Sequence, residues 1–291
     1  MTPGAPEDLP PQWPLAEFSQ TAKIMPYRWH LADLGEGDEV LLLHGAGASA
    51  HSWGDLARIL ARSYRVLAPD LPGHGLTRAR GMRAGLADMT TDLAALMAGI
   101  GSQPKVIIGH SAGGALALSL SQKLTTPPSA VIVLNGALED FQGLAGFLFP
   151  LMARFLALNP LAAPFLARSA VNPAAIERLI RGTGSEISQD GLDRYRRLIS
   201  DRRHVAGTLA MMASWSLAPL SRELPHIAVP VLFLHGEKDE AVAPDVAMRA
   251  AATIPNARIE VLDGLGHLIH EEAPSRIADR ISAFLSGTPP G

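Results

Sequence analysis

A serine, a carboxylate and a histidine can together break an ester-like bond, and this chain offers one of each in that order, every one just past an apolar run. Ser111 lies in Val106-Ile107-Ile108-Gly109-His110-Ser111-Ala112-Gly113-Gly114, a β-type run that breaks into G-x-S-x-G and then Ala-Leu-Ala-Leu. The pattern predicts a strand turning sharply into a helix, with the serine hydroxyl lifted above the sheet edge. Gly109 and Gly113 lack Cβ atoms, so strand, turn and helix can approach closely there. The helix N-terminus favours negative charge developing beside Ser111. A serine hydroxyl is a poor nucleophile without a base to take its proton and a third group to orient that base. Asp239 is the acid candidate, a few residues beyond Val231-Leu232-Phe233-Leu234-His235-Gly236 on a loop able to reach the same edge. Glu237 and Glu240 are its neighbours, and Glu139 or Asp140 is the secondary choice. His267 is the base candidate, in Leu262-Asp263-Gly264-Leu265-Gly266-His267, where two glycines let the loop turn an imidazole inward. His270 competes, although Glu271 and Glu272 beside it predict a solvated position.

Acyl transfer also needs preorganised donors for an oxyanion. The backbone N–H of Ala112, directly after Ser111, is one candidate. The other is Ala46 in His44-Gly45-Ala46-Gly47-Ala48, with Gly47 as the alternative. His44 and His110 are expected to bond loop carbonyls.

Short apolar runs at 40–44, 64–69, 105–108, 130–134, 231–234 and 258–262 read as buried strands. Helical stretches fall between them, near 53–62, 88–99, 112–124, 245–253 and 274–285. Strands alternating with helices predict an α/β fold with a mostly parallel central sheet covered on both faces. Chemistry in such folds gathers at the C-terminal ends of the strands. The alternation stops between Ala137 and about Leu220, where the chain reads as helices at 147–158, 162–170, 173–181, 189–199 and 204–214. We therefore expect an N-terminal arm over 1–20, a core over 21–136, a helical lid over 137–220 inserted after the sixth core strand, and the rest of the core over 221–291. Residues 141–167 are strongly apolar, with Arg154 their only charge, but Pro150, Pro160 and Pro164 interrupt any spanning helix. They are expected to line an apolar substrate cleft or to touch a membrane surface. Gly47, Asn135, Phe147, Leu151, Met211 and Trp215 are the substrate-lining candidates.

Composition narrows the partners. With 47% apolar and 18% charged residues over 291 positions, the chain can bury a substantial core. A net charge of −3 gives no reason to expect nucleic acid. Zero cysteines exclude disulfides, thiolate metal sites and a cysteine nucleophile. The histidines lack H-x-x-x-H and H-E-x-x-H spacing, so neither metal nor cofactor is expected. Residues 1–14 are Pro-rich and acidic without an apolar signal-like stretch, which predicts a cytoplasmic protein, peripheral to the inner face of a membrane if the lid touches one.

From about Trp29 onward the sequence resembles the α/β-hydrolase superfamily. The matching residues are His44-Gly45, Asp70-Leu71-Pro72-Gly73-His74-Gly75, Gly109-His110-Ser111-Ala112-Gly113, Asp239, and Gly266-His267 with Glu272 and Pro274. The resemblance implies an α/β-hydrolase fold with Ser111 as nucleophile, Asp239 as acid and His267 as base. An elbow aspartate would mark a haloalkane dehalogenase, and Ser111 stands there instead. Lipases, carboxylesterases and C–C bond hydrolases of this fold remain open. A narrower resemblance rests on His44 to Trp53 and on segments in or beside the lid. These are Leu134-Asn135-Gly136-Ala137-Leu138, Leu156-Ala157-Leu158-Asn159-Pro160, Gly182-Thr183-Gly184-Ser185 and His204 to Trp215. Together they look like the magnesium-chelatase accessory proteins of bacteriochlorophyll biosynthesis. That likeness implies a role in photosynthesis beside the enzyme that inserts Mg²⁺ into a porphyrin. Its implied partners are a hydrophobic substrate of tetrapyrrole type and magnesium chelatase subunits. It leaves open a non-catalytic, porphyrin-binding or chelatase-contacting role.

Overall fold

The computed structural model describes residues 9, 12–79, 81, 83–139, 159, 162–169 and 172–287. The strands are β1 (Ser19–Ile24), β2 (Tyr27–Leu34), β3 (Glu39–Leu43), β4 (Arg65–Pro69), β5 (Arg78–Ala79), β6 (Val106–His110), β7 (Ala130–Leu134), β8 (Val231–Gly236) and β9 (Ala257–Leu262). They form one sheet in the order β1-β2-β4-β3-β6-β7-β8-β9, with the two-residue β5 paired to β2 off that path. From β4 to β9 neighbouring strands run parallel, while β1–β2 and β2–β4 are antiparallel.

The six runs read in the sequence are the six parallel strands; β3, β4, β6, β7 and β8 are almost wholly buried between helical layers, whereas the edge strand β9, with Arg258 and Glu260, is partly exposed. Alternate residues serve opposite layers. Leu41, Leu43, Ile107, Val131, Val133 and Phe233 pack into one cluster with Leu93, Leu96 and Leu116. Val40, Leu42, Ile108, Ile132, Leu134 and Leu234 pack into the other with Trp53, Leu56 and Ile277. The helices of these layers are α1 (Gly54–Leu60), α2 (Leu86–Ile100), α3 (Ala112–Ser121) and, after the insertion, two longer segments at Pro244–Thr253 and Pro274–Leu285.

After β7, the sixth strand on the sheet path, the chain leaves the strand–helix rhythm. Among the described residues it forms α4 (Ala162–Ser169), α5 (Pro173–Arg181), α6 (Gln189–Ser200), α7 (Arg202–Ser214) and α8 (Ala218–Glu223). Local signals set these starts. Asn172 caps α5 through Ala174 N–H with Pro173 at the first position, Ser188 caps α6 and Asp201 caps α7. The helix expected at 147–158, with Phe147 and Leu151, lies outside the described residues. No helix among the described residues is long and apolar enough to cross a membrane.

Candidate active site

Five neighbouring parallel strands, β3, β6, β7, β8 and β9, end at one edge, and the loops that follow them carry every core residue singled out for chemistry. Ser111 sits between β6 and α3 with φ 53° and ψ −118°, a backbone conformation costly for any residue with a Cβ. Its N–H donates to Leu134 O at 3.0 Å, extending the β6–β7 ladder by one bond. The surrounding glycines are sterically required. A Cβ on Gly109 would lie 2.1 Å from Gly113 O, and one on Gly113 would lie 2.0 Å from Leu43 O. Gly45 brings the loop after β3 against the turn, since its Cβ would stand 3.0 Å from Ser111 Cβ.

Asp239 and His267 meet as the sequence predicts. His267 Nδ1 lies 2.7 Å from Asp239 Oδ2. A carboxylate only accepts, so Nδ1 carries the proton and a neutral ring leaves Nε2 as a proton acceptor. The same Oδ2 accepts from Asn135 Nδ2 at 2.5 Å and lies 3.3 Å from His235 Nε2. Oδ1 accepts from Ala241 N–H and Val242 N–H, both at 2.8 Å. Burial alone would raise the Asp239 pKa. Hydrogen bonds from His235, His267 and Asn135 outweigh it and hold the carboxyl well below the usual range. An ionised carboxylate facing one edge of an imidazole fixes the ring's orientation and keeps the proton on Nδ1.

His267 is in turn held by its own backbone. His110 Nε2 donates to His267 O at 2.9 Å, and the two rings lie tilted against each other at 57° with centroids 4.7 Å apart. His110 therefore bonds a loop carbonyl, as expected, and so does His44, which donates through Nδ1 to Gly45 O at 2.8 Å and accepts Leu71 N–H at Nε2. Burial pushes His44 down to about 4 and His110 well below the ordinary histidine value, so both serve as neutral braces. The Asp70-to-Gly75 segment is likewise structural. Asp70 accepts from Ala50 N–H, Leu76 N–H and His30 Nδ1, each at 2.7 Å, and ties the segments after β3 and β4 to strand β2. Ala112 opens α3, where its amide has no intrahelical acceptor, and Ala46 is exposed on the turn closed by the Ala48 N–H to Gly45 O bond.

Three expectations change. Asn135, expected to line the substrate space, is fully buried at φ 48° and spends its amide on Asp239 and on Gly266 O at 3.2 Å. Met211 is 1% exposed and packs in the core cluster with Leu217 and Leu220 rather than facing an open cleft. His270, expected in solvent, is 1% exposed between Trp53 and His110, at ring distances of 4.5 and 4.4 Å. Its acidic neighbour Glu271 is partly buried, where it accepts from Tyr195 Oη at 2.6 Å. Gly47 and Trp215 are partly exposed, and a Cβ on Gly47, at φ 76°, would stand 3.7 Å from Thr208 Cγ2. Glu139 is engaged by Arg249 through two bonds of 2.6 and 2.8 Å, and Asp140 lies outside the described residues. Sequence reasoning missed His235, Asn135 as a donor to the acid, and His204 as a bridge between loops, because each acts through partners about a hundred residues away or through its own strand end. Among the described residues no group of three or more His, Asp or Glu side chains is arranged to hold a metal ion. A 660 Å³ surface groove lined by Trp13, Arg194 and Arg197 contains none of the residues of this cluster.

This parallel sheet, with a strained serine at the β6 elbow and an Asp–His pair beyond β8 and β9, is the architecture of the α/β hydrolases. The alpha/beta hydrolase family model matches residues 40–280, and the chain belongs to that family. Within it, the chain is 42% identical over 285 residues to the magnesium-chelatase 30 kDa subunit of Rhodobacter capsulatus, covering 97% of this chain and 99% of that one. It is also 26% identical to the 2-hydroxy-6-oxo-6-phenylhexa-2,4-dienoate hydrolase of Burkholderia cepacia, over 83% and 85% of the two chains. The thermophilic esterase of Thermogutta terrifontis shares the fold, with a TM-score of 0.75, 24% identity and coverage of 92% and 98%.

Proposed function

We propose that this protein is a serine hydrolase that cleaves an ester-like bond in a hydrophobic, tetrapyrrole-type substrate and serves magnesium insertion into a porphyrin. The observation that carries the reading is the 2.7 Å His267–Asp239 bond at the sheet edge that also bears strained Ser111. In this reading His267 Nε2 takes the Ser111 hydroxyl proton while Oγ attacks the substrate carbonyl carbon. The carbonyl oxygen becomes an oxyanion facing the N–H groups of Ala46 and Ala112. His267 then gives the proton to the leaving oxygen, and an acyl group stays on Ser111. Water, deprotonated by His267 in its turn, releases the acid and restores the hydroxyl. Asp239 stays ionised throughout and stabilises the imidazolium formed in each half-reaction. The helices α4–α8 form the lid of the proposed site, and Trp215 and Gly47 remain its lining candidates.

A second reading follows from the 42% identity to a protein named as a chelatase subunit: an accessory protein that contacts the chelatase or holds porphyrin without turnover. A fluorophosphonate probe separates the two. Labelling of Ser111 in the wild type, absent in Ser111→Ala and His267→Ala, together with failure of Ser111→Ala to restore magnesium-tetrapyrrole formation, is the expected result. No labelling and full complementation by Ser111→Ala would overturn the hydrolase reading.

A further inference from the structure

The segment Gly182-Thr183-Gly184-Ser185 lies within the helical insertion, far in sequence from the acid and base, yet it touches both of their loops. One atom does most of this. Thr183 O accepts from His267 N–H at 3.3 Å and from Glu240 N–H, the residue after Asp239, at 3.2 Å. Ser185 Oγ accepts from Leu268 N–H at 2.8 Å, with Ser185 only 1% exposed. Gly184, at φ 77°, lies so close to the acid loop that a Cβ there would stand 1.7 Å from Lys238 O. A Cβ on Gly266 would meet Gly184 C and O at 2.3 Å. Three backbone segments are thus stacked without room for side chains between them: 183–185, 236–240 and 264–268. The turn is itself rooted in the end of α5, where Gly182, Thr183 and Gly184 donate to Arg178 O, Ile180 O and Arg181 O, and Thr183 Oγ1 adds a 2.7 Å bond to Ile180 O.

We propose that Gly182–Ser185 is a positioning clamp through which the helical insertion sets the Asp239–His267 geometry. The proposal rests on the hydrolase reading for its catalytic consequence. A shared acceptor fixes the separation of two donors more tightly than either loop could alone, because shifting one loop costs its bond to the same oxygen. Small displacements of α5 are therefore transmitted to the acid–base pair, and a ligand packed against the insertion is felt at His267. Thr183, Gly184 and Ser185 are positioning residues, since none of their polar atoms is aimed at Ser111.

The test uses the full chain. Ser185→Ala deletes the acceptor for Leu268 N–H, Ser185→Thr keeps one, Gly184→Ala drives a methyl into Lys238 O, and Leu179→Ala on exposed α5 surface is the control. Two quantities are read: the rate of Ser111 labelling by a fluorophosphonate, and the downfield proton resonance of His267 Nδ1–H bonded to Asp239. We expect Ser185→Ala and Gly184→Ala to slow labelling at least tenfold and to shift or broaden the resonance. Ser185→Thr restores both in part, and Leu179→Ala changes neither. Folded Ser185→Ala with wild-type labelling and an unshifted resonance overturns the clamp. Should Gly184→Ala fail to fold, the Ser185 pair still decides. If the wild type itself is never labelled, the hydrolase reading fails, while the resonance in wild type and Ser185→Ala still passes judgement on the clamp.

Discussion

At the scale of single residues, Ser111 holds an expensive backbone conformation. Its φ of 53° with ψ −118° is open to glycine and strained for every other residue, by about 1–3 kcal/mol. Ser111→Gly should therefore unfold at higher urea than Ser111→Ala, by roughly 1 kcal/mol after glycine's own entropic cost. Equal stabilities would show that the turn is relaxed. Ser111, Asp239 and His267 were legible as candidates because each follows a recognisable apolar run and carries the needed chemistry. Asn135 was not, because an asparagine after a strand says nothing about Asp239, 104 positions on. His270 misled for a related reason. Two following glutamates suggest solvent, but one of them, Glu271, is drawn inside by Tyr195, and burial raises its pKa to about 8.

At the scale of elements, α7 fastens two loops through His204. Its Nδ1 accepts Gly75 N–H at 3.1 Å and its Nε2 donates to Gly47 O at 3.0 Å, on the loop that carries Ala46. His204→Ala leaves both groups unpaired in a closed setting, at about 1–3 kcal/mol each. We expect a loss of about 3 kcal/mol in urea unfolding and slower Ser111 labelling, whereas an unchanged midpoint would show that α7 is held by its apolar contacts alone. The parallel strands could be read within a residue or two, since burial on both faces leaves nearly unbroken apolar runs in all but the edge strand β9. The antiparallel strands β1 and β2 escaped, because Ser-Gln-Thr-Ala-Lys-Ile and Tyr-Arg-Trp-His-Leu-Ala-Asp-Leu mix polar with apolar residues. The insertion helices α5–α7 were legible from their caps and apolar spacing, but not their attachment to the site, which is made by main-chain atoms that leave no trace in residue type.

At the scale of the whole molecule, the interior is built around uncharged imidazoles. Burial is the first cause in each case, holding His44 and His204 at about 4 and His51, His74 and His270 at about 3. These rings protonate near 6.5 in an unfolded chain, so the unfolded state binds more protons as the pH falls below that value. Stability is thus undiminished by these groups above pH 6.5 and lost progressively down to about 3. Asp70 and Asp239, held below the usual carboxylate range, add a further loss below about 3.8. Urea midpoints should fall steeply between pH 6.5 and 4 with a slope of several protons, and a flat profile there would contradict the burial of these rings.

The loops of the site come from chain positions as distant as His110 and His267, which are bonded across 157 residues. No subset of the strands can assemble that edge. Contacts of such long sequence separation close late, after the local helices have formed. On the proposed hydrolase reading, reactivity of Ser111 becomes a chronometer for folding: in refolding from urea, helical circular dichroism should recover first, and probe labelling only when β9 has docked and delivered its histidine.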